Sequence, residues 1–272
     1  MKRGDTLTEE SASFDIATPN VARMYDYYLG GKDNFTADRE AADKVVTAMP
    51  YVLDFTRANR RFLSRVVTLL AEQGIRQFLD IGSGLPTREN VHEVAQRLAP
   101  DARVFYVDND PVVLTHARAL LANNALTTVV QADLRDPRSI LDHPEVRAGL
   151  DFDQPVAVLL LAILHFVPDD IWPAAMVAQL REQLVSGSFL VISHGHAGTV
   201  TDEVEARVRG AYGRTAAGDI IPRPPEQIMA FFEGTDLLEP GLVPVEAWRP
   251  ESGPIESVLS RAGFLGAVGK VR

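Results

Sequence analysis

The chain reads as an α/β protein built on a Rossmann-like, mostly parallel sheet with helices on both faces. Three observations predict it. The run Gln77-Phe78-Leu79-Asp80-Ile81 enters Gly82-Ser83-Gly84, the pattern of a buried strand meeting a tight turn. A second apolar run, Arg103-Val104-Phe105-Tyr106-Val107, ends in Asp108. Beyond it, apolar runs and helical patterns alternate up to Phe189, the order that parallel strands with right-handed crossovers require.

The elements follow in chain order. Residues 1–13 are polar and predict a disordered N-terminus without the apolar core of a signal peptide. Residues 14–74 predict a helical cover. Thr18-Pro19-Asn20 is a helix start, and Gly30-Gly31 breaks the aromatic stretch Tyr25-Asp26-Tyr27-Tyr28-Leu29. A second helix spans 36–49, and a third spans 53–73 and ends at Gly74, where a C-terminal cap belongs. Residues 75–272 predict the Rossmann-like domain with C-terminal elements on the substrate side. Helix 88–98 follows the first strand, helix 111–123 opens on Pro111, strand 127–131 leads to Ala132-Asp133, and a short helix ends near Ile140. Strand 156–161, helix 169–184 and strand 189–193 come next. The strands are near-continuous apolar runs, as expected when both faces are covered. Further on, 201–212 and 226–232 read as helices, Ile221-Pro222-Arg223-Pro224-Pro225 as a stiff linker, and 242–247 and 264–271 as edge strands.

Composition narrows the function. With 272 residues, 46% hydrophobic, the chain can build a core that needs no staple. It has 0 cysteines, which excludes disulfides, thiolate metal sites and cysteine nucleophiles and fits a cytoplasmic location. A net charge of -10 argues against a nucleic-acid partner, and Arg57, Arg60, Arg61 and Arg65 read as a solvated helix face. No apolar run reaches the ~20 residues of a membrane span, so no membrane partner is expected. Composition leaves the oligomeric state open.

A parallel sheet of this kind binds ligands beyond the carboxyl ends of its strands. Four segments meet there: Gly82-Ser83-Gly84, Asp108-Asn109, Asp133-Leu134 and Leu161-Ala162. The glycines permit close approach to the main chain. Asp108 is suited to accept from two ribose hydroxyls, Asp133 from an exocyclic amine. Leu134 is suited to lie on an adenine face, and Ala162 leaves room for a reactive end. A dinucleotide loop carries a third glycine where Thr87 stands, and Pro86 removes an N–H that a pyrophosphate uses. S-adenosylmethionine, with one adenosine, no phosphate and an amino-acid tail, meets these constraints and needs no metal.

Several blocks carry a resemblance. They are Thr18-Pro19-Asn20-Val21-Ala22-Arg23-Met24-Tyr25-Asp26-Tyr27-Tyr28-Leu29-Gly30-Gly31-Lys32-Asp33-Asn34, Arg57-Ala58-Asn59-Arg60, Phe78 to Thr87, Val107 to Pro111, and Glu239-Pro240-Gly241-Leu242-Val243. With them the chain resembles, over nearly all its length after Phe14, the actinobacterial S-adenosylmethionine-dependent methyltransferase family long grouped as a domain of unknown function. The resemblance implies the class I methyltransferase fold, a seven-stranded, mostly parallel sheet with an antiparallel strand near its edge. It also implies that the N-terminal helices cover the cofactor.

Methyl transfer is an in-line displacement in which the protein supplies alignment and a dry pocket. The expected partner is a small-molecule methyl acceptor. His165 is the first candidate for a general base, ahead of His194 and His196, because histidine titrates near neutrality. Arg60, with Asn59, is suited to a ligand carboxylate. Tyr27 and its neighbour Tyr28 cannot share one core stripe, so one of them, Tyr27 in the leading assignment, faces the cleft. Phe231, Phe232 and Trp248 read equally well as an apolar acceptor wall or as core packing, and Arg223 as a partner for an acidic substrate group. Two other classes compete: a cofactor-binding sensor without catalysis, and a nicotinamide-dependent oxidoreductase, against which Thr87 argues.

Overall fold

Asn20 starts the first helix. Its Oδ1 accepts from the N–H groups of Ala22 and Arg23, satisfying two of the donors that every helix start leaves open. The computed structural model describes residues 15–87, 89–121, 124–251, 253 and 262–272. Helix α1 (Val21–Tyr28) packs against α2 (Thr36–Ala48), and α3 (Val52–Glu72) follows. Asp38 ties the first two together. It accepts from Phe35 N–H and Asn20 N–H and forms an ion pair with Arg23 at 3.0 Å, with both side chains buried.

The alternating part then runs β1 (Gln77–Ile81), α4 (Val91–Leu98), β2 (Arg103–Asp108), α5 (Pro111–Leu121), β3 (Thr127–Gln131), α6 (Pro137–Leu141), α7 (Pro144–Gly149), β4 (Ala157–Leu161), α8 (Pro173–Arg181) and β5 (Phe189–His196). The last stretch adds α9 (Asp202–Tyr212), α10 (Pro225–Ala230), β6 (Thr235–Leu237), β7 (Val243–Pro244) and β8 (Gly263–Val271). One sheet has the strand order β3-β2-β1-β4-β5-β8-β6, with the two-residue β7 paired to β8 beside that path. Strands β1 to β5 are parallel, and β8 runs antiparallel to β5. The seven-strand path matches the expected sheet. Its order reverses between β1 and β4, the place where such sheets open a crevice.

Side chains alternate across the sheet. Leu79, Ile81, Phe105, Val107, Val158 and Leu160 face the layer of α6, α7, α8 and α10, while Phe78, Val104, Tyr106, Ala157 and Leu159 face α3, α4 and α5. A third apolar cluster joins α1, α2 and the start of α3 to Val208, Ala211 and Tyr212 of α9. Most of α3 packs on the sheet through Phe62, Val66 and Leu70, so the expected boundary at residue 74 separates this helix from its own core.

Other elements differ from expectation for local reasons. The helix expected over 169–184 is broken at Trp172, which sits at φ 56 before Pro173 restarts the helix. Strand β5 extends to His196 because β8 pairs with it that far, a partnership that periodicity cannot report. The edge strand expected over 242–247 shrinks to two residues. Pro244 lacks an N–H for the ladder, and a 3₁₀ turn, Val245–Ala247, follows. The real edge strand is β6. Helix α4 begins at Val91, after Asn90 caps it. The expectations for residues 1–13, and those for Arg88 and 122–123, lie outside the described residues. Among the described residues no helix is long and apolar enough to cross a membrane.

Candidate cofactor and acceptor cleft

Strand β1 delivers the chain to Gly82 at φ 72 and Gly84 at φ 66, in the left-handed region that glycine tolerates. A Cβ on Gly82 would meet Ile163 Cγ1 at 2.6 Å, whereas one on Gly84 would find only Ala22 Cβ at 3.9 Å. The first glycine is therefore needed for packing against the β4 tip, and the second leaves its face open toward α1.

Above this turn lies a cleft of about 260 Å³. Its floor is the row of strand tips expected to meet there. Gly82, Ser83, Gly84, Asp108, Asn109, Asp133, Leu134, Leu161 and Ala162 all line it. Its roof comes from α1, α3 and α9.

Asp108 ends β2 and is buried. Its Oδ2 accepts from Gly84 N–H at 2.9 Å and its Oδ1 from Asp110 N–H at 3.0 Å. Among the described residues no ion pair reaches it. Burial pushes its carboxyl up to about 6, against the pull of the backbone N–H groups. An ionised carboxylate has about four acceptor positions. Gly84 and Asp110 N–H occupy two and Asn109 N–H also approaches, which leaves acceptor capacity for ribose hydroxyls. Asp80 of the neighbouring strand β1, buried on the α3 side, is pushed up to about 7 by the same cause, with Arg60 opposing it.

Asp133 is more exposed and already engaged. Arg135 donates Nε to it at 2.9 Å and also its own N–H, and Asn109 Nδ2 approaches at 3.3 Å. Those bonds hold its carboxyl below the usual range. An exocyclic amine arriving here has to share this carboxylate with Arg135. Arg60 lines the cleft and donates Nη2 to Glu89 O at 3.0 Å. Asn59 Nδ2 donates to Tyr25 Oη at 3.0 Å, and that hydroxyl lies 3.3 Å from Thr56 O.

The assignment of Tyr27 to the cleft is corrected. Its hydroxyl donates outward to Asp43 at 2.8 Å, while Tyr25 and Tyr28 line the cleft. A helix turns 100° per residue, and α1 happens to aim 25 and 28 inward.

The role of His165 changes too. It lines the cleft from the 3₁₀ turn Leu164–Phe166, but its Nδ1 accepts from Gly195 N–H at 3.2 Å. In the neutral ring the other nitrogen then carries the proton and donates. Burial and the neighbouring His194 and Arg223 hold the ring well below its usual range, so it stays neutral. A ring with its acceptor nitrogen occupied is a donor, not a resting general base.

Two further expectations are corrected, and one open reading is decided. Arg223 is buried and donates to Leu164 O, Val167 O and Asp169, with His194 Nε2 at 3.0 Å, so it pins the proline linker and does not face a substrate. His194 is fully buried in that network, its Nδ1 2.8 Å from Gly195 O. Phe231, Phe232 and Trp248 are core residues, Trp248 packing edge-on to Phe62. The wall facing the cleft is instead built by Phe55, Phe166, Tyr212 and Phe264, which lie far apart in the chain.

Comparisons with known proteins bear on the family and the fold. The model of a family described as S-adenosyl methyltransferase matches residues 7–272. A DUF574 family protein from Streptomyces avermitilis MA-4680 is 44% identical and superposes with a TM-score of 0.88 over 95% of this chain and 99% of that one. A candidate methyltransferase from Thermobifida fusca YX is 41% identical, with a TM-score of 0.87 over 95% of this chain and 97% of that one. A ribosomal RNA small subunit methyltransferase H from Halorhodospira halophila is 36% identical over 58 residues, which are 21% of this chain and 18% of that protein.

Proposed function

We propose, from the premise that this chain belongs to the S-adenosyl methyltransferase family and takes S-adenosylmethionine as its cofactor, that it methylates a small-molecule acceptor in the chamber beyond the β4 tip. When bound, the cofactor supplies an electrophilic methyl group on a sulfonium, which an acceptor lone pair displaces in line. The observation that carries the reading is Asp108. A buried carboxylate bonded by backbone N–H groups, with acceptor capacity left over, suits a vicinal diol and ill suits a cation-seeking role.

The other residues have separable tasks in this reading. Gly84 lets the amino-acid tail approach the main chain. Leu134 and Ala132 give an apolar surface for the base beside Asp133. Arg60 and Asn59 stand over the tail end from α3. Ala162, at φ 55 with its N–H held by Ser193 Oγ, keeps the β4 tip free of bulk where the methyl group points. Helices α1 and α9 exclude water, and exclusion strengthens every electrostatic contact inside. His165 donates a hydrogen bond toward the acceptor and does not take its proton.

The net charge of -10 supports a small molecule over a nucleic acid, since binding phosphates draws on an excess of basic residues. Calorimetric titration with S-adenosylhomocysteine tests the reading. Micromolar binding that Asp108→Ala abolishes is expected. Heatless titration at millimolar ligand, or full binding by the variant, overturns it.

A further inference from the structure

The acceptor side of the cleft has a definite chemistry. Phe55 and Phe264 meet edge to face at 5.3 Å, Phe264 lies 5.8 Å from His165, His165 lies 4.4 Å from Phe166, and Phe166 lies 5.6 Å from Tyr212. These rings come from α3, β8, the turn after β4 and α9, yet they form one continuous belt, and each lines the cleft. Aromatic residues buried only for packing need not border a common cavity. A belt that does so presents flat, polarisable faces to whatever enters.

At the end of the belt, Tyr212 of α9 brings its hydroxyl within 3.3 Å of the hydroxyl of Tyr28 of α1. Both side chains are buried. Two hydroxyls bring two hydrogens, and their mutual bond uses one. The second has no acceptor among the described residues. At 3.3 Å the mutual bond is also long for O–H···O, so it yields readily to an incoming oxygen. Burial keeps both phenols protonated. His165 adds a donor from the same wall, because Gly195 N–H occupies its Nδ1.

We propose that the methyl acceptor is a flat, largely apolar molecule carrying an oxygen, received face-on by the aromatic belt and fixed through that oxygen by the Tyr28–Tyr212 hydroxyl pair. The inference rests on the methyltransferase reading and names the substrate class for the same cleft. It makes Tyr28 and Tyr212 specificity-determining residues. An unpaired buried donor rejects a molecule that lacks an acceptor for it.

The test uses the full chain saturated with S-adenosylhomocysteine and two probes, 2-naphthol and naphthalene, followed by their fluorescence. The expected result is saturable binding of both, with naphthol at least about tenfold tighter. The Tyr28→Phe/Tyr212→Phe double variant is expected to lose that preference while keeping its affinity for S-adenosylhomocysteine. Equal affinity for the two probes, no binding of either, or a preference that survives in the double variant overturns the inference. If the double variant does not fold, Tyr28→Phe alone carries the comparison, and the naphthol-to-naphthalene ratio of the unaltered protein needs no variant. Failure of S-adenosylhomocysteine to bind in the first step counts instead against the methyltransferase reading, so the two failures are distinct.

Discussion

Asp108 concentrates the chemistry of the cofactor half. A charge-assisted hydrogen bond contributes about 1.5–3 kcal/mol, so removing an acceptor of two ribose hydroxyls costs at least about 100-fold in affinity. Asp108→Ala is expected to show that loss in calorimetry. The ionised form is the better acceptor and the carboxyl sits at about 6, so affinity for S-adenosylhomocysteine is expected to fall as pH drops through 6, and to stay flat in Asp108→Asn. A pH-independent affinity in the unaltered protein contradicts this. Gly82→Ala combines a left-handed backbone with a methyl group 2.6 Å from Ile163, and is expected to cost at least about 2 kcal/mol in urea denaturation. The position of Asp108, buried at a strand tip on the cleft, was legible from its place after an apolar run. The roles of Tyr27 and His165 were not. The inward face of α1 depends on where Asn20 caps it, and the state of His165 depends on an N–H thirty residues away.

The elements of the cover are held by charge as well as by apolar contact. Asp38 bonds Arg23, Phe35 N–H and Asn20 N–H, so one side chain joins the start of α1 to the start of α2. Breaking a buried pair from one side costs about 3–5 kcal/mol. Asp38→Ala is expected to lower the stability measured by urea denaturation by that amount, and a loss under about 1 kcal/mol contradicts the assignment. Asp26 works similarly, accepting from Asp33 N–H and Asn34 Nδ2 to fold the loop after Gly31. The block between Thr18 and Asn34 thus has two tasks, building the cover through residues such as Arg23 and Asn34 and lining the cleft through residues such as Ala22, Tyr25 and Tyr28. Glycine turns and apolar runs made β1 to β4 readable. Strand β6 was not, since three residues at an edge carry no period, whereas the break at Trp172 was signalled by Pro173, which disfavours helical backbone in the residue before it.

At the scale of the whole molecule, two buried carboxylates set a pH dependence. Asp80 at about 7 and Asp108 at about 6 hold protons in the folded state that the unfolded chain releases near 4. The folded state therefore binds more protons between about 4 and 7, and stability from these groups falls as pH rises through that window. Thermal melts of the ligand-free protein are expected to show this decline, and Asp80→Asn to reduce it. The cleft unites helices from the N-terminal third with strand tips and α9, which is why its acceptor half could not be read from any local segment. The central claim is that an adenosyl ligand lies across the β1 to β4 tips with its sugar on Asp108. A crystal structure with S-adenosylhomocysteine tests it most directly. The account predicts both ribose hydroxyls within hydrogen-bonding distance of the Asp108 carboxylate and the sulfur facing the chamber of Phe166 and Tyr212. A ribose turned to solvent, or a ligand bound outside this cleft, would contradict it.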